Sequence, residues 1–272
     1  MQKIILTGLA IATMIVSPAL AAPPTWTWTG FYLGGNVGHS WGRDSGPMTL
    51  GDVFGVDEKP HLDGFIGGGQ IGFNWQANNW VFGLEADYQG TGQKGSATAT
   101  CPGGSVTSVN SLCTRGHVGD TINDPALPVN VSLSEKLESL GTLRGRVGFA
   151  VMPMLLPYVT GGLAYGQVRV TETVSGTDVF GTPGANGATF TPVDESFGTK
   201  TTKTGWALGG GVEGVLLGNW TGKIEYIHVD LGTVSGSFTT SLTTPAGNSL
   251  VAGFSSHVTD NIVRVGLNYT FH

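Results

Sequence analysis

Residues 31–42 read FYLGGNVGHSWG, and this stretch decides the fold class. Its large apolar side chains all fall on odd-numbered positions, whereas the even-numbered positions carry Tyr, Gly, Asn or Ser. An apolar residue at every second position is typical of a β-strand with one apolar and one polar face. We therefore predict a strand whose two faces meet different surroundings. The apolar residues are Phe31, Leu33, Val37 and Trp41.

Seven further stretches repeat this alternation along the chain. Each sets aromatic or aliphatic residues on one parity against Gly or polar residues on the other. None is uniformly apolar over the ~20 residues that a transmembrane helix needs. Eight similar strands are an even number, which suits a sheet closed into a membrane barrel. The seven stretches are residues 65–75, 80–89, 142–149, 158–165, 206–213, 220–226 and 263–271.

The apolar face of these strands is predicted to meet lipid. The polar faces are rich in glycine, which suits a small crowded lumen better than a solvated surface. Aromatic residues end the apolar faces, as Phe31 and Trp41 do in the first strand. The ten steps between these two residues rise ~33 Å, or ~25 Å at a ~40° tilt, which matches the apolar band of an outer-membrane barrel.

The connections between strands alternate between short and long. Short periplasmic turns and long extracellular loops are typical of outer-membrane barrels, so we predict an all-β, eight-stranded antiparallel transmembrane β-barrel. The short connections lie around 76–79, 152–155 and 217–219, and the long ones run over 43–62, 90–136, 171–204 and 231–260.

Composition narrows the class of protein in the same direction. Of 272 residues, 45 are Gly, 13 are Lys or Arg and 19 are Asp or Glu. The share of glycine is thus more than twice its ordinary ~7%, and the share of charged residues is about half its ordinary value. Both departures disfavour a soluble globular domain. The 7 Trp, 6 Tyr and 12 Phe argue against disorder. A chain with a net charge of -6 lacks the excess of cations needed to bind the phosphate backbone, so nucleic acid is not an expected partner.

The first residues predict export. Lys3 gives a basic start, residues 4–16 are apolar, and Ala19-Leu20-Ala21 forms a small-residue cleavage site. We predict a signal peptide over 1–21 and a single barrel domain over 22–272, placed in the outer membrane with its lipid as partner. A retained N-terminal helix is the alternative, but its apolar run is too short to span a bilayer.

Eight charged residues fall on the polar parity of the predicted strands. Four are acidic and four are basic, and an eight-stranded barrel has an interior just wide enough for side chains. We therefore predict a charge network that fills the lumen, leaving at most a narrow pore; a gated ion path is the competing interpretation. The remaining charges are mostly acidic and predict an acidic external face. The eight residues are Glu85, Asp87, Arg144, Arg146, Glu213, Lys223, Glu225 and Arg264.

Cys101 and Cys113 are the two cysteines of the chain. An exported protein passes through an oxidising compartment, and no other thiol competes for either residue. A disulfide between them is therefore predicted within the second long loop.

Histidines raise two functional alternatives. His61, His117 and His257 fall in three different predicted loops, where they could bind haem or a metal ion, although scattered loop histidines are usually solvated. His228 and Asp230 share one face at the external end of a strand, but a lone pair of this kind does not make an active site. We predict no enzyme activity and no metal site.

Three stretches carry a family resemblance. WTGFYLGGNVG at 28–38, GTLRGRVG at 141–148 and LPYVTGGLAYG at 156–166 resemble the OmpA-like outer-membrane beta-barrel family of small porin-like surface antigens of Gram-negative bacteria. The resemblance implies an abundant structural envelope protein. Some relatives bind haem or host surfaces, so the resemblance also implies the alternative of a haem receptor or adhesin acting through the loops.

The last strand also resembles an assembly signal. Arg264, Gly266, Tyr269 and Phe271 follow the C-terminal pattern by which barrel precursors are recognised for insertion, with the apolar residues on the lipid side. The resemblance implies the barrel-assembly machinery and periplasmic chaperones as partners. His272 departs from the usual aromatic terminus, so Phe271 is expected to carry the recognition.

Overall fold

The computed structural model describes residues 26–50, 54–58, 61–101, 129–180, 189–243 and 249–272. These ranges form ten β-strands, and no helix among them is long and apolar enough to cross a membrane. The predicted signal peptide lies outside the described residues. The strands are β1 Gly30–Leu50, β2 Phe54–Glu58, β3 His61–Ala77, β4 Trp80–Thr91, β5 Lys94–Cys101, β6 Val129–Phe149, β7 Leu155–Phe180, β8 Thr189–Leu217, β9 Trp220–Thr243 and β10 Ser249–Phe271.

Eight of the strands close into a ring. Its order is β1, β10, β9, β8, β7, β6, β4 and β3, and β3 pairs with β1 to complete the circle. Every pairing is antiparallel. The predicted eight-stranded antiparallel barrel is confirmed. The short strands β2 and β5 lie beyond the ring proper, where β2 pairs with β1 and β5 pairs with β6.

Three tight turns join the strands at the periplasmic end. Asn78 has a φ of 55° and Gly218 a φ of 52°, so each begins a two-residue hairpin turn in the left-handed conformation that such turns require. The third turn lies between β6 and β7, where the amide of Leu155 donates to the carbonyl of Met152 at 3.1 Å. The short connections expected from the sequence are therefore present.

Much of the chain predicted to form long loops is strand. β7 and β8 remain paired from Leu155↔Gly214 out to Phe180↔Thr189, and β9 and β10 remain paired out to Thr243↔Ser249. His61 begins β3 and His257 lies within β10, so the prediction that both sit in loops is wrong. These segments are rich in Thr and Val, which fit a pleated sheet, but they lack the lipid-facing apolar residues that identify the other strands in the sequence.

The outer surface has the two aromatic girdles expected of a membrane barrel. At the periplasmic end Trp80 packs on Phe149 with ring centroids 5.2 Å apart, and Trp220 packs on Tyr269 at 5.2 Å. The outward aromatic residues at the opposite end form the external girdle: Trp41, Tyr88, Tyr165 and Trp206. Between the girdles the outward side chains are apolar and exposed, and Leu163 is 66% exposed. This surface meets lipid. The membrane-spanning segments are residues 31–41, 65–75, 80–88, 143–149, 155–165, 206–217, 220–226 and 263–271.

The interior of the barrel has three layers. The periplasmic cap is a small apolar cluster of Trp28, Val81, Ala150 and Leu156. The middle layer holds buried charged and amide side chains. The external core is a larger apolar cluster at and beyond the external girdle. Its members are Leu62, Ile66, Leu133, Leu137, Leu140, Ala164, Val168, Val170, Ala207, Ile227, Val229, Leu231, Val234, Phe254, Val258 and Ile262.

Candidate functional site

The middle layer contains all eight charged residues that the sequence placed on the polar parity. Five strands supply them, and none of the eight is more than 4% exposed. The inward parity of each strand fixes their direction, since the intervening outward residues face lipid. β4 supplies Glu85 and Asp87, β6 supplies Arg144 and Arg146, β8 supplies Glu213, β9 supplies Lys223 and Glu225, and β10 supplies Arg264. We refer to these eight residues as the charge network.

Arg144 lies at the centre of the charge network. Its Nη2 is 2.6 Å from Glu85 Oε1 and 3.0 Å from Asp87 Oδ2, and its Nη1 is 2.9 Å from Glu225 Oε1. Its Nε donates a hydrogen bond to Thr142 Oγ1 at 2.9 Å. One guanidinium therefore joins carboxylates from β4 and β9, which are not neighbours in the ring.

Two more cations neutralise the same carboxylates. Lys223 Nζ lies 2.8 and 2.7 Å from the two oxygens of Glu85. Arg264 Nη2 lies 2.6 Å from Glu225 Oε2 and 2.8 Å from Asp87 Oδ2. Each of these three carboxylates thus contacts at least two cations across the lumen.

Arg146 and Glu213 form a second ion pair beside this cluster. Arg146 Nη1 is 2.7 Å from Glu213 Oε2, and its Nε donates to Asn74 Oδ1 at 2.8 Å. The rings of Tyr32 and Tyr158 lie with their centroids 5.0 and 5.1 Å from Arg146 Cζ. Aromatic faces attract a guanidinium at this distance, so the two tyrosines hold Arg146 between them.

The same tyrosines connect the two parts of the charge network. Tyr32 donates its hydroxyl proton to Glu85 Oε2 at 2.8 Å, and Tyr158 donates to Glu225 Oε1 at 3.1 Å. Neither tyrosine is among the predicted lumen residues, because neither is charged. Their inward parity could have revealed them, since Tyr32 alternates with Phe31 and Leu33 on the lipid face.

A chain of polar side chains extends the network toward β1 and β3. Asn36 donates to Gln70 at 2.9 Å, Gln70 donates to Asn268 at 2.5 Å, and Asn268 donates to Glu213 at 2.9 Å. Thr221 donates to the same Glu213 oxygen at 2.6 Å. Glu213 is therefore hydrogen-bonded as well as ion-paired, which is the condition under which a buried carboxylate is tolerated.

Two residues of the predicted assembly signal lie at the charge network: Arg264 is a member, and Gly266 is the cross-strand partner of Lys223. Tyr269 and Phe271 lie on the lipid face with ring centroids 5.0 Å apart, whereas Arg264 points into the lumen. His272 Nδ1 is 3.2 Å from the carbonyl oxygen of Thr29. Cys113 lies outside the described residues, and Cys101 has only its backbone described, at the end of β5.

Of the three predicted loop histidines, only His257 has a described side chain. His257 Nε2 is 3.5 Å from Asp230 Oδ1, on the outer face of the extended sheet. Only the backbone of His61 is described, and His117 lies outside the described residues. His228 Nδ1 is 2.9 Å from Asn261 Oδ1. Among the residues that the structure places, no group of His, Cys, Asp and Glu is arranged to hold a metal ion.

A closed antiparallel barrel with an apolar outer face, two aromatic girdles and a polar-filled interior defines a transmembrane β-barrel protein. The model of the outer membrane protein beta-barrel domain family matches residues 7–271, and the chain belongs to that family. The protein is therefore a component of the outer membrane.

Curated relatives extend over most of the chain. It is 32% identical over 275 residues to the 31 kDa outer-membrane immunogenic protein of Brucella melitensis, covering 97% of this chain and 94% of that one. It is 31% identical over 209 residues to the 22 kDa outer membrane protein of Rhizobium leguminosarum bv. viciae, covering 76% and 66%. Both relatives are named as outer-membrane proteins.

The solved structures that resemble this chain are more distant in sequence. Neisserial surface protein A is 12% identical, with a TM-score of 0.36, covering 89% of this chain and 98% of that one. The outer membrane protease OmpT of Escherichia coli is 11% identical, with a TM-score of 0.42, covering 93% and 99%.

Proposed function

We propose that this protein is a non-catalytic structural component and surface antigen of the outer membrane, with a lumen closed by its own side chains. The observation that carries the proposal is the charge network, in which Arg144 joins Glu85 and Glu225 from opposite parts of the ring at 2.6 and 2.9 Å. A side chain that bridges the lumen at these distances occupies the space that a solute would need. At most a narrow pore remains.

The two apolar layers support the same proposal. The periplasmic cap and the external core lie on either side of the charge network, and Leu156, Ile227 and Ile262 are all 0% exposed. The periplasmic cap offers an ion no polar partner. The external core is mainly apolar, although buried carboxylates such as Glu135, Glu172 and Asp260 lie on the same inward faces. A solute would therefore have to pass three obstacles in series.

The structural role can be tested by complementing a strain that lacks this protein. Cys101 and Val129 are direct cross-strand partners, so a short Gly-Ser turn can replace residues 102–128 without separating β5 from β6. Cys101 would be changed to Ser in the same variant to avoid a free thiol. Both the full chain and this shortened barrel are expected to restore resistance of the envelope to detergent. Failure of the shortened barrel, when it is present in the outer membrane in normal amount, would contradict a structural role.

A spectral titration with hemin separates this proposal from the haem-receptor alternative. We expect no saturable change in the Soret band on adding the folded full-length protein to hemin. A saturable change that disappears in the shortened barrel would instead place haem binding in residues 102–128, which contain His117.

A further inference from the structure

Four cations form a single row across neighbouring strands just beyond the external girdle. The cross-strand register pairs Lys94 with Lys136, Lys136 with Arg169, and Arg169 with Lys200. These residues belong to β5, β6, β7 and β8, and each falls on the outward parity of its strand. We refer to Lys94, Lys136, Arg169 and Lys200 as the cationic row.

Such a row is unfavourable by itself. Like charges directly opposite one another on adjacent strands repel, because their Cβ atoms lie only ~5 Å apart. The chain as a whole carries a net charge of -6, so this concentration of positive charge runs against its composition. A partner that brings negative charge to this face would remove the repulsion.

Two carboxylates of the described residues partly compensate the row. Asp63 on β3 is the direct cross-strand partner of Lys94, and the second carboxylate comes from β6. β6 has a bulge between Leu137 and Ser139, and the extra residue is Glu138. Its Oε1 lies 2.7 Å from Arg169 Nε and its Oε2 lies 2.6 Å from Lys200 Nζ. Hydrogen bonds from Lys200 and Arg169 lower the pKa of Glu138 to about 2. Among the described residues, two carboxylates against four cations leave the row with a net positive charge.

The position of the row identifies the kind of partner. Tyr88, Gly141 and Tyr165 form a parallel row of cross-strand neighbours in the external girdle. Arg169 lies four residues beyond Tyr165 along β7, which corresponds to ~13 Å along the strand. Side chains at this level lie beyond the hydrocarbon and within the headgroup region of the outer leaflet.

We propose that the cationic row binds the phosphate groups of a lipid headgroup in the outer leaflet. Three inter-strand spacings of ~4.8 Å make the row ~14 Å long, so it suits a headgroup with more than one phosphate. Arg169 supplies a planar guanidinium and the lysines supply compact ammonium groups, both of which pair with phosphate. The acyl chains of the same lipid would lie against the exposed apolar residues below the row, such as Leu143 and Leu163.

Binding of bisphosphorylated lipid A to the folded protein in detergent micelles tests the proposal. The test variant is Lys94→Gln with Lys136→Gln, because neither lysine contacts Glu138 and the barrel interior is untouched. Each lysine near an anionic lipid surface contributes a factor of about five, so we expect about 30-fold weaker binding. Lys203→Gln is the matched control, since Lys203 lies on β8 on the opposite face from Lys200. It should bind as the wild type does.

Further arms of the experiment distinguish the sources of phosphate. The wild type should bind dephosphorylated lipid A no more tightly than the double variant binds bisphosphorylated lipid A. Inorganic phosphate at the same concentration should not displace lipid A; displacement would show a site for the free ion and overturn the lipid assignment. Unchanged affinity in the double variant would overturn the site itself. Gel mobility before and after boiling verifies folding, and Lys136→Gln alone, with a fivefold expected loss, serves if the double variant does not fold.

Discussion

Tyr32 lies across Gly72 inside the barrel, on two paired strands. A methyl group built on Gly72 would overlap the ring carbon Cζ of Tyr32 and lie 2.7 Å from the carbonyl oxygen of Leu84. The missing side chain at Gly72 is therefore the space in which the tyrosine ring lies. This placement lets the Tyr32 hydroxyl reach Glu85 at 2.8 Å. A lumen rich in glycine is thus filled by side chains from neighbouring strands.

Gly72→Ala should destabilise the barrel because the added methyl has no room. Overpacking of a filled interior typically costs about 1–3 kcal/mol, and the free energy of unfolding in urea should fall by that amount. Gly90→Ala is the control, since a methyl built on Gly90 has no atom within 4 Å. Equal stability of the two variants would show that Tyr32 can move aside without cost.

The sequence predicted the ring of strands and the charged members of its lumen more fully than the apolar layers. Alternation of the kind seen from Phe31 to Trp41 depends only on which face of the strand meets lipid. It can therefore be recognised in the sequence of a single strand. Ile227 and Leu231 continue the inward parity of Lys223 and Glu225. In the sequence, however, an apolar residue that faces the lumen cannot be distinguished from one that faces lipid. Pairing partners such as Arg144 and Glu225, 81 residues apart, depend on ring closure and cannot be derived from one strand.

Ile227→Ala should destabilise the barrel by leaving a cavity in the external core. Ile227 is 0% exposed, and removing a buried isoleucine side chain typically costs about 2–5 kcal/mol. Ile224 on the same strand is 63% exposed and faces lipid, so Ile224→Ala leaves a site that detergent or lipid can fill. Urea titration of both variants should show the larger loss for Ile227→Ala. The reverse order would mean that the external core is not packed.

Glu172 predicts a dependence of stability on pH. It is buried in β7, seven residues beyond Tyr165 and outside the membrane-spanning segments, and burial raises its pKa to about 7 from an ordinary 4.5. The folded state therefore favours the neutral form, and its contribution to stability is full below pH ~4.5 and is lost as the pH rises through about 7.

Glu172→Gln should reduce the difference in thermal transition between pH 5 and pH 8, because Gln remains neutral at both ~pH 5 and ~pH 8. Some pH dependence should remain, since burial also raises the pKa of Asp260 to about 7. Asp194→Asn is the control, as Asp194 is an exposed carboxylate on the facing strand. The prediction would be contradicted if the thermal transition of Glu172→Gln differed between the two pH values by as much as that of the wild type.

We propose that Phe271 carries the recognition of the last strand during assembly. It is 54% exposed on the lipid face and contacts Tyr269, whereas Arg264 is occupied by the charge network. Phe271→Ala should lower the amount of protein assembled at the surface and increase its degradation in the periplasm. Phe149→Ala, at another outward aromatic of the periplasmic girdle, is the control. Equal surface levels for Phe271→Ala and wild type would place the recognition elsewhere.

The current through the purified protein in a planar lipid bilayer tests the closed lumen most directly. The wild type should show small or rare conductance, because the charge network and the two apolar layers fill the barrel. Arg144→Ala leaves Glu85, Asp87 and Glu225 short of a partner and should lower the thermal transition, with a cost of about 3–5 kcal/mol if the site stays dry. It should also raise the conductance, whereas Arg169→Ala, on the outer surface, should not. Large and stable wild-type channels that Arg144→Ala leaves unchanged would contradict the account.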